Sequence, residues 1–151
     1  MLLETEASTA LVAVVAKETV PQLWSELLPI LQDKGEKFLQ VYSEDELFRL
    51  LCMETLDLWI GARNGHIDGF AVCGWETHAR ARYYHIVGIF GDNLSLYLKD
   101  GLRAMEHYAL GMGAVEVVVE GRRGWQRLLA KQGYAPRTVR LRKNVRKALG
   151  N

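Results

Sequence analysis

Two different spacings of hydrophobic residues divide the chain into strand-like and helix-like stretches. The clearest strand signal is residues 56–76, LDLWIGARNGHIDGFAVCGWE, where two apolar runs flank Asn64-Gly65. Asparagine and glycine tolerate the left-handed dihedrals of a two-residue hairpin turn, so this stretch predicts two antiparallel strands. The second run is apolar at successive positions, which predicts a central strand covered on both faces. Residues 76–81 are a polar turn, and residues 82–90, RYYHIVGIF, predict a third strand of the same meander.

Elsewhere apolar residues recur every three or four positions, as on one face of an α-helix. The stripes comprise Trp24, Leu27, Leu28 and Leu31 in a first helix, Leu47, Leu50, Leu51 and Met53 in a second, and Leu98, Leu102, Met105, Ala109 and Met112 in a third. Pro29 is expected to kink or split the first helix. Ser43 and Glu46 form a capping box, which predicts that the second helix begins there and reaches about Glu54.

Further strands and one helix complete the pattern. Residues 10–17 and 114–119 are short, β-branched and apolar, so both predict buried strands. The second of them follows the third helix so closely that it should lie parallel to the strand before that helix. A short helix bearing Trp125 and closed by Gly133 comes next, and residues 134–145 predict a half-exposed final strand. The predicted order is β-α-α-β-β-β-α-β-α-β, an α/β fold with a mixed sheet and helices on both faces.

The junction between the third meander strand and the following helix has the features of an anion site. An apolar run meets the helix through Gly91-Asp92-Asn93. A helix that begins just after a strand presents unpaired backbone N–H groups and the positive end of its dipole. The junction is therefore a candidate ligand site, although most such junctions are ordinary parts of a core.

Length and composition favour one soluble domain that spans residues 1–151. With 151 residues and 49% hydrophobic content, the chain is long enough to bury a core. Its first residues show neither a basic leader nor an apolar run long enough for a membrane span. Cys52 and Cys73 have neither disulfide nor metal-ligand spacing, which predicts buried thiols in a reducing compartment. A cytoplasmic location is the expectation, with no metal and no membrane partner.

The small net charge of +1 conceals an uneven distribution. Residues 1–60 hold eleven acids and four bases, a balance of −7, while residues 61–151 hold seven acids and fifteen bases, a balance of +8. Such a division fits either docking surfaces for protein–protein assembly or two solvated faces of one globule. The bases between Arg137 and Lys147 lack interleaved aromatic residues, which disfavours a nucleic-acid partner.

The element order, together with NGHIDGF at residues 64–70 and RRGWQRLLAKQGY at residues 122–134, resembles the GNAT superfamily of acyl-CoA N-acyltransferases. The resemblance covers nearly the whole chain and lies in architecture more than in motif. The Gly-Arg-Arg-Gly-Trp sequence at residues 121–125 is also similar to GNAT-like proteins that bacteriophages often carry.

The resemblance implies acetyl-CoA as the cofactor and an amine, on a small molecule or a protein, as the acceptor. It implies that the strand ending near Phe90 parts from the strand at residues 114–119, so that the pantetheine arm pairs with the first of them. The pyrophosphate would lie at the N-terminus of the following helix. The implied backbone contacts are Val87 and Ile89 for the pantetheine, and Gly91, Asn93, Leu94 and Ser95 for the phosphates.

Two departures from the family pattern bear on activity. The pyrophosphate loop usually has a basic residue followed by glycines, whereas GIFGDNLS here is shorter and carries Asp92, whose charge opposes a phosphate. Many members also have a tyrosine that protonates the leaving thiolate, and Leu129 occupies that place. The sequence alone does not make Tyr97 or Tyr108 its substitute.

Three residues are candidates for the base that an acyl transfer to an amine requires. Glu76 ends the central strand, His85 lies within the next strand, and Glu120 ends the strand at residues 114–119. Each is also compatible with a purely structural polar role. Arg122 and Arg123 precede a helix N-terminus, where a cation favours an anionic neighbour or is simply solvated.

Two functions follow. The first is a GNAT-like N-acyltransferase that transfers acetyl from acetyl-CoA to an amine. The alternative is a GNAT fold without catalysis that serves as a structural or interaction protein, for example in a phage particle, where the location would be the virion. In that case an assembly would depend on basic residues such as Arg140 and Arg142.

Overall fold

The computed structural model describes residues 10–120, 123–137 and 141–150. Its strands are β1 (Leu11–Val14), β2 (Leu56–Arg63), β3 (His66–His78), β4 (Ala81–Gly91) and β5 (Ala114–Val119). Its α-helices are α1 (Val20–Lys34), α2 (Glu44–Cys52), α3 (Leu98–Gly111), α4 (Arg123–Ala130) and the one-turn α5 (Val145–Ala148). Short 3₁₀ turns cover Lys17–Thr19, Phe38–Gln40 and Leu94–Leu96. None of the helices in these ranges is long and apolar enough to cross a membrane.

The five strands form one mixed sheet in the order β1-β2-β3-β4-β5. Strands β1 to β4 are antiparallel to their neighbours, and β5 is parallel to β4. The parallel pair follows from the connection, because α3 carries the chain back to the starting end of the sheet before β5 begins. The predicted mixed α/β fold, its three-strand meander and the parallel fifth strand are confirmed.

Two-residue turns close both hairpins of the meander. Asn64 and Gly65 have φ of 54° and 73°, as the sequence predicted for a left-handed turn. The second hairpin is tighter than its polar sequence suggested, because β3 extends to His78 and β4 begins at Ala81. Its turn residues Ala79 and Arg80 also have positive φ, 49° and 70°, a conformation that costs a non-glycine residue about 1–2 kcal/mol.

One main core lies between the sheet and the helices α1 and α2. Its fully buried members include Val20, Leu27, Leu31, Leu47, Leu51, Leu58 and Val72. Helix α1 is continuous through Pro29, so the expected split does not occur. Pro29 is exposed, and the carbonyl group that lacks its N–H partner can therefore bond to water. At the start of α2, Ser43 Oγ accepts the predicted hydrogen bond from Glu46 N–H at 3.1 Å.

Helix α3 packs through its predicted stripe, in which Leu102, Met105 and Ala109 are buried. The Tyr108 ring lies 5.5 Å from Trp59 and 5.6 Å from Tyr84, measured between ring centroids. These three rings join α3 to β2 and β4. Aromatic contacts at such distances add to the apolar area that the helix buries.

A hydrogen-bonded network runs among polar groups beside α3, and we refer to Trp59, Tyr84, Asp57 and Lys17 as the Tyr84 network. Trp59 Nε1 donates to Tyr84 Oη at 2.8 Å, and Tyr84 Oη donates to Asp57 Oδ2 at 2.8 Å. Lys17 Nζ pairs with Asp57 Oδ1 at 3.2 Å. Burial, with the Asp57 carboxylate adding to it, raises the pKa of the Tyr84 hydroxyl well above its usual value. Tyr84 is therefore neutral and bonded on both sides.

The two strands at the margins of the described sheet correct the prediction that both are buried. In β1 the side chains of Leu11 and Val14 are 65% and 40% exposed, and in β5 Val115 is 62% exposed. Apolar, β-branched composition identifies a strand but not the number of its neighbours. Each of these strands has one partner strand among the described residues.

The final strand predicted over residues 134–145 is not found in its described part. Residues 134–137 and 141–144 have no regular structure, and Val145 begins α5, which the Asn144 side chain caps by accepting from Lys147 N–H at 3.0 Å. Residues 138–140 lie outside the described residues. A side chain that caps a helix competes locally with strand formation, which the partial alternation could not show.

The described residues divide into two compact units after Glu120. The first contains the sheet and the helices α1 to α3. The second contains α4, which ends in a turn at Gly133 with φ of 88°, and α5. The predicted short helix that bears Trp125 and is closed by Gly133 is thereby confirmed, while the single-domain organisation stays a prediction.

Candidate active site

The pairing between β4 and β5 ends partway along β4. The parallel register runs from Arg82 opposite Ala114 to Ile86 opposite Val119, and β5 continues no further. Residues 88–91 of β4 remain paired with β3 on their other side. That edge of β4 faces no strand in the described parts of the chain, so its backbone groups are available to a ligand. The sequence resemblance implied this parting, and the pairing shows where it begins.

A β-bulge coincides with the start of this open edge. Val72 pairs with Gly88 and Cys73 pairs with Ile86, so Val87 is an extra residue in β4. Bulges bend a strand and increase its twist, and they re-aim the side chains beside them. The bulge therefore lies where β4 leaves β5, next to His85.

The three predicted base candidates lie together at this point. His85 Nδ1 is 2.8 Å from Glu76 Oε1, and His85 Nε2 is 3.7 Å from Glu120 Oε1. The register explains the first contact, because Glu76 pairs with Tyr83 and lies diagonally across from His85 on the same face. Glu120 comes directly after β5. We call Glu76, His85 and Glu120 the Glu-His-Glu cluster.

The His85 ring is nearly enclosed, whereas the two carboxylates reach water. The side chain of His85 is 13% exposed, against 42% for Glu76 and 45% for Glu120. Gly74 lies opposite His85 in β3 and places no side chain beside the ring. His85 Nε2 is buried and has no hydrogen-bond partner among the described residues. A buried polar atom without a partner is rare in native proteins and calls for an explanation.

The ionised state of Glu76 determines which ring nitrogen of His85 carries the proton. A hydrogen bond from His78 lowers the pKa of the Glu76 carboxyl, and a further bond from His85 acts in the same direction against partial burial. An ionised carboxylate only accepts hydrogen bonds, so His85 Nδ1 must carry a proton. In neutral His85 the lone pair is then on Nε2, the nitrogen beside Glu120.

The junction after β4 has the backbone geometry that its sequence suggested. Asn93 adopts the left-handed conformation, with φ 55° and ψ 33°, and leads into the turn at Leu94–Leu96. No backbone acceptor in the described chain pairs with the N–H groups of Asn93, Leu94 or Ser95. The Asp92 N–H, by contrast, donates to Asp68 O at 3.1 Å. Three successive N–H groups thus have no backbone acceptor among the described residues, and runs of such groups can bind an anion.

Gly91 is required by packing as well as by conformation. Its φ is 139°, and a Cβ atom there would overlap the carbonyl oxygen of Asp68 and the Cα atom of Gly69. The chain thus turns tightly against β3 just before the junction. Whether the Gly91 N–H also contacts a phosphate stays a prediction.

Tyr97 anchors the junction from the other side. Its hydroxyl donates to the Asp68 carboxylate, and its ring packs against Gly61, where a Cβ atom would be 3.0 Å from Tyr97 Cδ1. Burial and the Asp68 carboxylate raise the pKa of Tyr97 to about 12. Tyr108 belongs to the aromatic group beside α3, and burial and Asp57 raise its pKa too. Neither hydroxyl is adjusted to act as an acid at neutral pH.

Sequence reasoning missed a cation beside the junction. Lys34, the last residue of α1, places Nζ 3.4 Å from Asp92 Oδ1. Its pKa is raised, first by the hydrogen bond to Asp92 and then by the charges of Asp33 and Asp92. The acid that seemed to oppose a phosphate therefore has a basic partner. No local signal reveals it, because 58 positions separate the two residues in sequence and only the fold brings them together.

An apolar pocket of about 50 Å³ lies under α3. Its lining includes Ile89 of β4, Tyr97, and three glycines, Gly61, Gly69 and Gly101, whose missing side chains leave the space. The pocket does not contain the Glu-His-Glu cluster. It is a packing feature of the α3 side of the sheet.

In the part of the chain that the structure describes, no contact assigns the other residues singled out in the sequence a role in the site. Arg122 and Arg140 lie outside the described residues, and of Arg123 only its position at the start of α4 is described. Arg142 is exposed. Leu129, in the place of the family's tyrosine, is buried in α4. Burial raises the pKa of the Cys73 thiol to about 12, so this cysteine is an inert core residue.

No protein-family model matches the chain, and no curated protein matches it in sequence. Solved structures do match. A ribosomal-protein-alanine N-acetyltransferase from Brucella melitensis is 12% identical, with a TM-score of 0.69 over 90% of this chain and 99% of that one. A GNAT family acetyltransferase from Staphylococcus aureus is 14% identical, with a TM-score of 0.66 over 90% and 98%. A predicted acetyltransferase with acetyl-CoA from Clostridium acetobutylicum is 16% identical, with a TM-score of 0.63 over 92% and 98%.

The chain has the GNAT fold, the fold of acyl-CoA N-acyltransferases. This confirms the architecture that the sequence resemblance implied. At such low identities the likeness establishes the fold and leaves activity to be argued from the site. The similarity to phage-encoded proteins stays a prediction.

Proposed function

We propose that the protein is an N-acetyltransferase that transfers acetyl from acetyl-CoA to an amine. The observation that carries the proposal is the Glu-His-Glu cluster at the point where β4 and β5 part. There His85 Nε2, which is buried and has no hydrogen-bond partner in the part of the chain that the structure describes, lies beside the open edge of β4. A base is needed where the acceptor amine meets the thioester, and this cluster supplies one.

The residues present fit acetyl-CoA. Val87 and Ile89 lie on the open edge of β4, where an extended pantetheine arm could add as a strand would. The free N–H groups of Asn93, Leu94 and Ser95 suit the pyrophosphate, with Gly91 at the turn before them. Among the matching structures, the acetyltransferase from Clostridium acetobutylicum was solved with acetyl-CoA.

Lys34 compensates in part for the missing loop arginine. With Asp92 it forms an ion pair beside the free N–H groups, and a phosphate is a stronger anionic partner than one exposed carboxylate. In this proposal Lys34 would leave Asp92 and pair with the bound pyrophosphate. The cation thus comes from the end of α1 and not from the loop.

When bound, acetyl-CoA would supply a thioester whose carbonyl carbon accepts the amine as the C–S bond breaks, and the departing thiolate would take the second proton that the amine loses. Glu120 attracts the ammonium form of the acceptor, and His85 Nε2 takes its proton. Glu76 keeps the other proton on Nδ1, so the lone pair stays on Nε2. The imidazolium that forms is stabilised between two carboxylates.

Calorimetry tests the proposal at its first step. We expect acetyl-CoA to bind, and S-acetylpantetheine, which lacks the pyrophosphate and nucleotide, to bind more weakly. Lys34→Gln should weaken acetyl-CoA binding by about fivefold and leave S-acetylpantetheine unaffected. Lys37→Gln, a nearby exposed lysine, is the matched control. An absence of heat at millimolar acetyl-CoA would reject the enzyme proposal.

Asp92→Asn refines the same test. Removing the carboxylate frees Lys34 and removes a charge that repels phosphate, so acetyl-CoA should bind more tightly than to the wild type. Weaker binding would show that Asp92 holds the junction in shape, and would place the phosphate contacts elsewhere.

The acceptor class is the open part of the proposal. The matching structures include enzymes named for aminoglycosides, for glucosamine-6-phosphate and for a ribosomal-protein alanine. A panel of such amines, assayed by release of free thiol, would identify the class that this chain prefers. Failure of every amine despite acetyl-CoA binding would favour the non-catalytic alternative, whose assembly through the acidic and basic halves stays a prediction.

A further inference from the structure

A second histidine lies against the Glu76 carboxylate. His78 Nε2 is 3.2 Å from Glu76 Oε2, while His85 Nδ1 is 2.8 Å from Glu76 Oε1. The two rings therefore share one carboxylate, one oxygen each. They differ in environment, because the His78 side chain is 68% exposed whereas that of His85 is enclosed.

We propose that His78 is a positioning residue, which acts through Glu76 to hold His85 in the tautomer with its proton on Nδ1. The inference rests on the proposed function, because it assigns a role within the same site. His78 itself is not assigned any contact with a substrate.

The need for such a residue follows from the two carboxylates. Glu76 draws the single ring proton of neutral His85 to Nδ1, and Glu120, at 3.7 Å, draws it to Nε2. Only the first tautomer leaves Nε2 with a lone pair. Glu76 has a partly exposed side chain that can adopt several rotamers, so the position of its carboxylate decides which of the two His85 tautomers is favoured.

His78 fixes that position. A hydrogen bond to Oε2 leaves Oε1 directed at His85, and it removes the rotamers in which the carboxylate turns to solvent. The lowered pKa of Glu76, with the His78 hydrogen bond as its largest cause, is consistent with this contact.

The hairpin holds His78 in turn. His78 is the last residue of β3, and the positive φ angles of Ala79 and Arg80 close the chain directly after it. Its ring lies 5.7 Å from that of Tyr83 in β4, measured between centroids. His78 thus contacts Glu76 from its own strand and Tyr83 from the next.

The test compares His78→Phe, which keeps a ring but loses the donor, with His78→Gln, which keeps an N–H donor. Nitrogen NMR of the imidazole groups reports the His85 tautomer without any need for activity. We expect the wild type and His78→Gln to carry the proton on Nδ1, and His78→Phe to gain protonation at Nε2. His66→Phe, in the other hairpin, is the matched control and should resemble the wild type.

Kinetics supply the second readout. The kcat of His78→Phe should fall about fivefold, with KM for acetyl-CoA unchanged, while His78→Gln stays within about twofold of the wild type. An unchanged His85 tautomer in His78→Phe, or equal losses in both variants, would overturn the inference. If the wild type transfers no acetyl group but the tautomer shifts as expected, the positioning role stands and the proposed function fails.

Discussion

Tyr84 and His85 are neighbours in β4, yet their side chains leave the sheet on opposite faces and meet opposite conditions. The Tyr84 hydroxyl accepts from Trp59 and donates to Asp57, so its hydrogen-bonding capacity is used. The His85 ring is bonded at Nδ1 but has no hydrogen-bond partner at Nε2 among the described residues. The Tyr84 hydroxyl and His85 Nε2 are both buried atoms on one strand, and among the described residues only the hydroxyl has hydrogen-bond partners.

The difference in hydrogen bonding suggests that Tyr84 serves stability and His85 serves function. A satisfied buried network contributes to folding and fixes the packing around it. A buried nitrogen without a partner lowers the free energy of unfolding and makes no compensating contact within the protein. Such a group is expected where a substrate binds. The two residues should therefore respond to substitution in opposite ways.

The largest effect is expected at His85. His85→Gln removes the proposed base, and kcat/KM should fall by about 10²–10⁴-fold, the usual contribution of general-base catalysis. The melting temperature should change little, because Nε2 has no hydrogen-bond partner among the described residues and the glutamine amide keeps an N–H group that can donate to Glu76 in place of Nδ1. Steady-state kinetics and thermal unfolding measure the two quantities, with the exposed His107→Gln as control. Full activity in His85→Gln would remove His85 from the mechanism.

Tyr84→Phe should show the reverse. It leaves Trp59 Nε1 without its acceptor and removes one of the two donors to Asp57, since Lys17 remains, so the free energy of unfolding should fall by about 1–3 kcal/mol. Below the melting temperature the kcat should stay close to that of the wild type. Denaturant unfolding of Tyr84→Phe and of Tyr42→Phe, a tyrosine stacked on Phe38, gives the comparison. A loss of activity in Tyr84→Phe as large as that in His85→Gln would mean that stability and catalysis are not divided between the two faces of the sheet.

Gly101 and Gly69 line the pocket on the face of the sheet that Tyr84 occupies, and their substitution should affect stability in opposite directions. Gly101→Ala should raise the free energy of unfolding by about 1 kcal/mol, because alanine favours a helix and its Cβ would lie 3.6 Å from Val12, an ordinary contact. Gly69→Ala should destabilise, since its Cβ would lie 2.6 Å from the carbonyl oxygen of Phe90. Equal effects would show that the pocket between them is not shaped as described.

The smallest effect concerns pH. The pKa of Glu76 is lowered on folding, so its contribution to stability is present above its unfolded value, near 4.5, and is lost as pH falls through the lower folded value. The contribution should be below about 1 kcal/mol, because the carboxylate is partly exposed. Unfolding of the wild type and Glu76→Gln should differ at neutral pH and converge in acid. A difference that grows toward low pH would contradict the assignment.

Much of the fold follows from local sequence signals. Asn64-Gly65 gives the first hairpin and Ser43 caps α2, because both signals act over a few residues. The buried positions of α3 follow from its spacing. Local patterns do not reveal how many neighbours a strand has. For this reason the prediction that β1 and β5 are buried was wrong.

The candidate site was predicted as separate residues and not as an arrangement. Glu76, His85 and Glu120 were each singled out as strand-end or mid-strand polar groups, but their contacts depend on register across three strands. Lys34 was missed because its partner Asp92 is remote in sequence and exposed. The role of His78 depends on a turn whose residues, Ala79 and Arg80, carry no turn signal.

The two short turns of the meander also bear on how the chain folds. Strands β2, β3 and β4 are joined by two residues at each turn, so their pairings close small loops at little entropic cost. The β4–β5 pairing needs α3 in place first, and parallel pairing of this kind forms slowly. We therefore expect the half of the active site that comes from β3 and β4 to assemble early, and Glu120 to arrive last.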